Sequence, residues 1–519
     1  MTFPITTPAS STEILVIGGG PSGTYAAAAL AREGKKVTLL EKEIFPRYHI
    51  GETMLPSIRP FLRFIDAEDK VVNYGFTVKV GAAVKLNQHK REGYTDFTLD
   101  GRAPERASWS FERAEFDDLL LKHAAENGVS VHEGVRVTEI KFCPENPKKP
   151  IAARWKKNDS ETGEIKFDFM VDASGRNGIM STRYLKNRKF TQGLKNVAFW
   201  GYWKNTGMYM PGTPRENAVW IEALTDETGW TWFIPLQNGI TSVGVVLAET
   251  SSRAKKAKVA DNKEHYLSQV NISPGLVKLL ENAEMVGEVK SAGDYSYTSV
   301  NNQYAGPNYR IIGDAGAFLD PLFSSGVHLA FTDALSAALT ICASARGQCT
   351  EEEAIEFHNN KVAISYTRFL VVVLGVYNQI HAQKNAVLSD VDEDNFDRAF
   401  DFIRPVIQGD NDTHSKVDMQ KVIDLLGETP GIIGVDPTAH ERVSKKMEPG
   451  LMADNGPLMM GDAFSRAVGE DEEAKELLHM MNSRKAITNT IEWAHNYEGD
   501  KINGLSVVLK RGELGLARE

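Results

Sequence analysis

The chain has 519 residues, room for two or three domains or one large elaborated one. With 42% hydrophobic and 25% charged residues it has the balance of a soluble globular protein, which excludes disorder, collagen and coiled coil as overall descriptions. A formal net charge of −10 argues against nucleic acid or an anionic membrane as the main partner, since both reward a basic face. Cys143, Cys342 and Cys349 are too few and too scattered for a disulfide framework or a zinc site, so a reducing compartment is expected. The first 13 residues carry no basic and apolar signal regions, and the longest late apolar run, Phe369 to Tyr377, falls short of the roughly 20 residues that span a bilayer. A cytoplasmic location is expected.

A short polar leader ends near Thr12. Glu13 to Ile17 predicts a buried parallel strand, Gly18 to Gly23 a turn, Thr24 to Glu33 an Ala-rich helix closed by Gly34, and Lys36 to Glu41 a second strand. That is a complete βαβ unit. From about Gly75 to Trp109 the pattern turns to short β segments. Arg113 to Asn127 reads as an amphipathic helix, ended by Gly128 before a strand at Val129 to His132. Residues 135 to 172 read as β-hairpin material ending in Met-Val-Asp-Ala-Ser-Gly. Val197 to Leu247 is strongly β and aromatic-rich. Tyr309 to Ile312 is a buried strand again, followed by Gly313-Asp314 and a long helix from near Val327. Beyond Arg346 come helical stretches rich in Glu, Lys and Met.

The predicted architecture is α/β. A discontinuous Rossmann-like, dinucleotide-binding domain takes segments of about 12–74, 110–195 and 295–345. A β-sheet substrate domain of about 75–109 and 196–294 is inserted into it, completing a core over 1–345. A mainly helical C-terminal region covers 346–519.

Gly18, Gly20 and Gly23 fit G-x-G-x-x-G directly after a strand and at a helix start. A tight turn, close approach to a pyrophosphate and close helix packing each demand the missing side chain, and the helix N-terminus offers N–H groups to the phosphates. Glu41 ends the next strand, 18 residues beyond Gly23, where an acid can hydrogen-bond an adenosine ribose. A turn in some other α/β domain would share the glycines but not the strand, helix and acid together. NAD and FAD both remain open at this point.

Val171-Asp-Ala-Ser-Gly-Arg176 and Arg310-Ile-Ile-Gly-Asp314 resemble the DASG and GD elements of the flavoprotein monooxygenase fold. The resemblance implies FAD, with Asp314 meeting its ribityl chain and Arg113 serving as a flavin-binding arginine. Trp230-Thr-Trp-Phe-Ile-Pro235 then resembles W-x-W-x-I-P, the hallmark of flavin-dependent halogenases. Trp230 and Trp232 share a face because side chains on a strand alternate. A plain aromatic core stripe would have the same spacing. In the family these indoles stand between flavin and substrate and prevent direct hydroxylation.

Pro46-Arg-Tyr-His-Ile-Gly-Glu-Thr-Met-Leu-Pro56 is similar to the halogenase PRxHxGExxLP stretch, which implies that Glu52 contacts the flavin. Gly75-Phe-Thr-Val-Lys79-Val-Gly81 places Lys79 where the family has its essential lysine. Lys70, Lys85 and Lys90 are neighbours without that flanking pattern. The resemblance implies that FADH2 and O2 oxidise chloride to hypochlorous acid, a diffusible and unselective oxidant. A lysine in a dry tunnel can hold it by hydrogen bond, or form a chloramine as a neutral amine whose pKa burial has lowered. Both routes stay open.

Asp320-Pro-Leu-Phe-Ser-Ser-Gly326 leads into the helix at Val327. The resemblance implies chloride at Ser325 and Gly326, and flavin contact at Val327. Ser325 also reads as a helix N-cap. Tryptophan halogenases carry a glutamate at the position of Phe323, so the closer resemblance is to phenolic halogenases of the fungal polyketide type. It covers roughly residues 10 to 400. The implied reaction is chlorination of an electron-rich phenolic secondary metabolite. A flavin hydroxylase of the same fold, or a non-catalytic flavoprotein in a biosynthetic assembly, is the alternative.

No second dinucleotide motif for NADPH is evident, so a separate flavin reductase is expected as partner. A carrier protein is not indicated. No metal is expected: there is no HExxH, and Asp390 to Asp401 departs from a calcium loop at Asn395 and Asp401. His328 reads as a packed residue rather than a ligand.

Overall fold

The computed structural model describes residues 7–157, 161–384 and 501–518, with scattered positions between 400 and 474. The opening βαβ unit is β1 (Ile14–Ile17), α1 (Pro21–Arg32) and β2 (Val37–Leu40). Two short helices follow, α2 (Ile58–Phe64) and α3 (Glu68–Val72), then four short strands, β3 (Thr77–Lys79), β4 (Gly81–Lys85), β5 (Gly93–Asp96) and β6 (Ser108–Ser110). Next come α4 (Arg113–Glu126), β7 (Ser130–His132), β8 (Val135–Phe142), β9 (Pro150–Lys157), β10 (Glu161–Lys166) and β11 (Phe169–Asp172). The aromatic-rich stretch forms β12 (Arg188–Lys204), β13 (Val219–Ala223), β14 (Gly229–Pro235) and β15 (Thr241–Ala248). Helices α5 (Glu249–Lys256), α6 (Asn262–Val270) and α7 (Pro274–Leu279) lead to β16 (Glu284–Ser299), β17 (Ala305–Gly306) and β18 (Tyr309–Ile311). Two long helices, α8 (Gly326–Ala345) and α9 (Glu351–His381), precede β19 (Lys501–Ile502), β20 (Leu505–Val508) and β21 (Gly515–Arg518).

Three distant segments supply one sheet in the order β17-β18-β11-β1-β2-β7, parallel apart from its β17 edge. All four residues of β1 are buried, as expected of a parallel strand covered on both faces. Helices α1 and α8 pack on it, with Tyr25 stacked on Phe331 at 4.8 Å between ring centres. The second large sheet runs β16-β12-β15-β14-β13-β4-β5, antiparallel except where β13 meets β4. Alternation divides its strands between two cores. Trp230, Trp232 and Ile234 face one, with Tyr366, Phe369 and Tyr377 of α9, while Phe233 faces the other, with Phe199 and Tyr266.

The expected α/β architecture with an inserted β domain is present. β12 begins at Arg188 and β16 runs to Ser299, so these long paired strands carry the insertion into the nucleotide-binding segments on both sides. The expected C-terminal helix exists as α9, whereas residues 501–518 form a small sheet. Arg346 at the end of α8 holds that sheet by donating to the Leu514 carbonyl at 2.6 Å. Asp390 to Asp401 lies largely outside the described residues. By length and composition α8 and α9 are apolar enough to cross a membrane, but here α8 is buried along its length in the core and α9 covers the seven-stranded sheet. The Phe369 to Tyr377 run is the part of α9 that does so. The three cysteines are free thiols, and no group of metal-ligating side chains occurs among the described residues.

Candidate active site

A cavity of about 860 Å³ opens between the carboxyl ends of β1 and β11 and the face of β14. Its walls bring together most of the residues singled out in the sequence: Gly18, Gly20, Glu41, Glu52, Arg113, Trp230, Trp232, Asp314, Gly326 and Val327. Gly23, Lys79 and Ser325 stand just behind the walls.

The three glycines of the loop do different work. Gly18 has φ +112°, and a Cβ there would sit 2.2 Å from the Ala173 carbonyl oxygen on the neighbouring β11 turn. A Cβ on Gly23 would lie 2.0 Å from the Gly18 oxygen, so this glycine lets α1 approach the turn. Gly20 is the contrast, for a Cβ there meets nothing closer than the Arg47 guanidinium at 3.8 Å. The protein itself does not require that glycine. Space kept clear at the start of a 12-residue helix suits a pyrophosphate.

Glu41 is buried, and its carboxylate accepts from Gly19 N at 2.5 Å and Glu43 N at 2.8 Å. It clamps the glycine loop to β2 as well as lining the cavity. Arg113 at the start of α4 forms a two-pronged pair with Asp117, at 2.8 and 3.0 Å, and Arg47 adds a third contact at 2.7 Å. Burial would raise the Asp117 carboxyl, but Arg113 and Arg47 hold it below the usual carboxylate range. Two guanidiniums on one carboxylate leave positive charge facing the cavity. Asp172 turns away from the cavity and braces the β11 turn, accepting from Ser174 N and Met180 N. Asp314 lines the cavity, and burial raises its carboxyl against the opposing Arg176, Arg113 and Arg188. These residues fit a dinucleotide such as FAD.

Trp230 and Trp232 stand side by side on the far wall, ring centres 5.9 Å apart. Their indole N–H groups are both satisfied, Trp230 by the Tyr377 hydroxyl at 2.8 Å and Trp232 by Ser242 at 3.1 Å. Gly244 lies opposite Trp232 in register, and a Cβ there would meet the indole at 2.1 Å. Tyr377 donates in turn to Asp320, 2.7 Å away, which Asn196 also contacts at 3.0 Å.

Lys79 is 3% exposed, at the end of β3. Its Nζ donates to the Met54 carbonyl at 3.0 Å and the Ser324 hydroxyl at 3.4 Å, and both partners line the cavity. Phe97 lies beneath it at 5.2 Å. Burial pulls its pKa down to about 7. The neighbouring lysines have no such setting: Lys70 pairs with Glu126 at the surface, and Lys85 donates to the Lys90 carbonyl at 2.8 Å.

Ser325 occupies the N-cap position of α8, yet its hydroxyl makes no capping bond. Its φ and ψ are helical, so the side chain does not reach back to the first N–H groups, and Oγ is buried with no hydrogen-bond partner. The expected simple cap is thus replaced by an orphaned polar atom at a helix N-terminus, next to a Gly326 with open space above it. Phe323 is buried in the core that also holds Trp230 and Trp232. His328 is packed, within hydrogen-bond distance of Ser57 at 2.9 Å and edge-on to Phe61.

Glu52 accepts from Tyr202 at 2.7 Å. Burial raises it to about 7, against the opposing hydroxyls of Tyr202 and Ser242. Arg47, Asp117, Tyr202, Gly244 and Tyr377 escape the sequence reading. Arg47 sits inside the Pro46–Pro56 stretch and could have been found there; the others carry no local signal.

The family model described as tryptophan halogenase matches residues 13–105 and 100–396. A flavin-dependent halogenase of Armillaria mellea, armH1, is 54% identical over 98% of this chain and 99% of its own length. Among solved structures, the myxobacterial chondrochloren halogenase CndH, described as FAD-dependent, superposes with a TM-score of 0.67 and 25% identity over 98% of this chain and 100% of that one. The halogenase PltM, solved in complex with phloroglucinol and FAD, has the same fold, with a TM-score of 0.61 and 18% identity over 92% of this chain and 96% of that one. With these matches spanning both the nucleotide-binding and the indole-bearing halves, the chain belongs to the tryptophan halogenase family and is a flavin-dependent halogenase.

Proposed function

We propose that this enzyme chlorinates an electron-rich phenolic secondary metabolite, consuming FADH2, O2 and chloride, and that Lys79 receives the hypochlorous acid. The observation that carries this reading is the setting of Lys79. A lysine with no carboxylate partner is held in an apolar wall, bonded to Ser324, beside the buried and unpartnered Ser325 hydroxyl. Chloride suits Ser325 and Gly326, where N–H groups at the start of α8 and an orphaned hydroxyl can serve a small anion. When bound, the reduced flavin would activate O2, which is the oxidant of the halide. Gly18, Gly20 and Gly23 shape its phosphate site, Glu41, Arg113 and Asp314 line its path, Glu52 and Val327 flank it, and the indoles of Trp230 and Trp232 screen the substrate from it.

Phe323 supports a phenol in particular. With no carboxylate at that position, the substrate must neutralise its own cationic intermediate, which a phenol does by losing its O–H proton. FADH2 comes from a separate reductase, in the cytoplasm. Incubation with FAD, a reductase, chloride or bromide and a panel of phenols, read by mass spectrometry, tests the reading. A chlorinated phenol is the expected product; hydroxylated products in its place would refute it.

A further inference from the structure

Glu52 is joined to the surface by a chain of hydroxyls. The Tyr202 hydroxyl donates to Glu52 Oε1 at 2.7 Å, and the Tyr48 hydroxyl lies 2.9 Å from that of Tyr202. Since Tyr202 gives its proton to Glu52, Tyr48 must donate to Tyr202. The Tyr48 oxygen accepts from Trp200 Nε1 at 2.7 Å and keeps a second lone pair. Both residues line the cavity, but Glu52 is 4% exposed in its wall whereas Tyr48, at its mouth, is 51% exposed. Every hydroxyl along this path therefore points inward, from solvent to a buried carboxylate.

We propose that Tyr48, Tyr202 and Glu52 form a proton inlet that feeds the reaction cavity. The inference rests on the halogenase activity, which needs such a supply: a substrate ArH, a halide ion, O2, FADH2 and one proton give the aryl halide, FAD and two waters. A proton from hydronium binds the Tyr48 oxygen, the Tyr48 proton passes to Tyr202, and the Tyr202 proton passes to Glu52 Oε1. Three O–H bonds form and three break, leaving one water at the surface and one neutral carboxyl at the cavity wall. When that carboxyl turns and releases its proton inward, the two hydroxyls rotate back. Oε2 has no hydrogen-bond partner, so the carboxyl is restrained against this rotation only by the hydroxyls of Tyr202 and Ser242 that face it.

The surrounding charges suit the task. Glu52 is faced by Glu112 and Arg113 at the start of α4, by Tyr202 on β12 and by Ser242 on β15. Tyr48 has the Lys290 ammonium of β16 over its ring at 4.6 Å. A carboxyl that titrates near neutral pH can both take and release a proton there, as a general acid or base requires.

Tyr48→Phe and Tyr202→Phe test the inlet, since each keeps the ring and removes one hydroxyl. With a phenol that the wild-type enzyme halogenates, each variant should lose at least about tenfold in kcat, with KM and equilibrium FAD affinity unchanged. A small weak acid such as imidazolium at high concentration should restore Tyr48→Phe but leave Lys79→Ala inactive. In the flavin-free protein, 13C NMR of glutamate-labelled chain, with the signal assigned by its loss in Glu52→Gln, gives a readout independent of turnover. Removing the Tyr202 donor should raise the Glu52 midpoint. Wild-type rates in both tyrosine variants, an unmoved midpoint in Tyr202→Phe, or a loss of rate that tracks weakened FAD binding without rescue would each overturn the inlet. Absence of any halogenated phenol from the wild-type enzyme would instead overturn the proposed substrate, and the NMR midpoint would still judge the inlet.

Discussion

The Nζ of Lys79 donates to the hydroxyl of Ser324 at 3.4 Å, joining a strand from the first hundred residues to the loop that opens α8. Ser324 holds a left-handed conformation, φ +58°, that turns the chain between Phe323 and Ser325. The amine and the orphaned Ser325 hydroxyl therefore meet at one short loop, so an oxidised halide formed there, as proposed, would have a buried amine close by.

Replacing that amine should separate the two halves of the cycle. Lys79→Ala should abolish halogenated product while oxidation of FADH2 by O2 continues, measured by product mass spectrometry beside flavin absorbance. Chlorination by this variant at near the wild-type rate would show that Lys79 is the wrong residue.

The buried amine also has a stability signature. Its pKa is near 7 in the folded chain, against 10.5 for an ordinary lysine, so the unfolded chain binds more protons between those values. Stability should therefore rise with pH from about 7 towards 10.5, and Lys79→Met should remove this dependence. The variant should be more stable than wild type by roughly 2–5 kcal/mol at pH 7 and below, with the gain vanishing near pH 10. Denaturant titrations at several pH values measure it. In wild type, competitive labelling of Lys79 by an amine reagent should show a midpoint near pH 7.

The glycine loop predicts two different failures. Gly20→Val should fold, since Gly20 has extended backbone and open space, yet lose FAD binding because the side chain fills room needed by pyrophosphate. Gly23→Val should fail earlier, because its Cβ would stand 2.0 Å from the Gly18 oxygen. Flavin retention and thermal unfolding of both variants distinguish the cases; normal flavin retention by folded Gly20→Val would sink the cofactor assignment.

The proposed substrate must have a free hydroxyl. A methyl ether of the true phenol cannot lose the O–H proton that neutralises the intermediate, so its turnover should fall by orders of magnitude even where it binds. Competition between the phenol and its ether, analysed by mass spectrometry, tests this. Equal chlorination of both, or efficient chlorination of free tryptophan, would refute the argument from Phe323.

The packing of the indole wall is testable by a single methyl group. Gly244→Ala would press on Trp232, and since the indole is confined by its bond to Ser242, overpacking of about 1–3 kcal/mol is expected in thermal or denaturant unfolding.

What the sequence reveals about this molecule follows the range over which its signals act. The glycine loop, the βαβ unit and the Trp-x-Trp spacing are local, set by one turn or by strand alternation, and they lie where expected. Lys79 is recognisable only by its flanking residues, for nothing in a lysine itself announces burial. Gly244 and Ser242 matter through antiparallel register with β14, and Tyr202 reaches Glu52 across 150 residues of sequence. No composition or periodicity carries such pairings. The strand ends at Arg188 and Ser299 were hidden for a related reason: β12 and β16 support each other through pairing rather than through hydrophobic runs of their own.

Tyr377 shows why the chain should not be cut after α8. This hydroxyl, 147 residues beyond Trp230, fixes the rotation of the indole and is itself held by Asp320 in the loop before Phe323. A helix that bears no recognisable motif is thus a working part of the indole wall of the cavity. An exchange of the region after residue 345 that lost this hydroxyl would leave the same tryptophan unbraced in a chimera whose other cavity residues are all untouched.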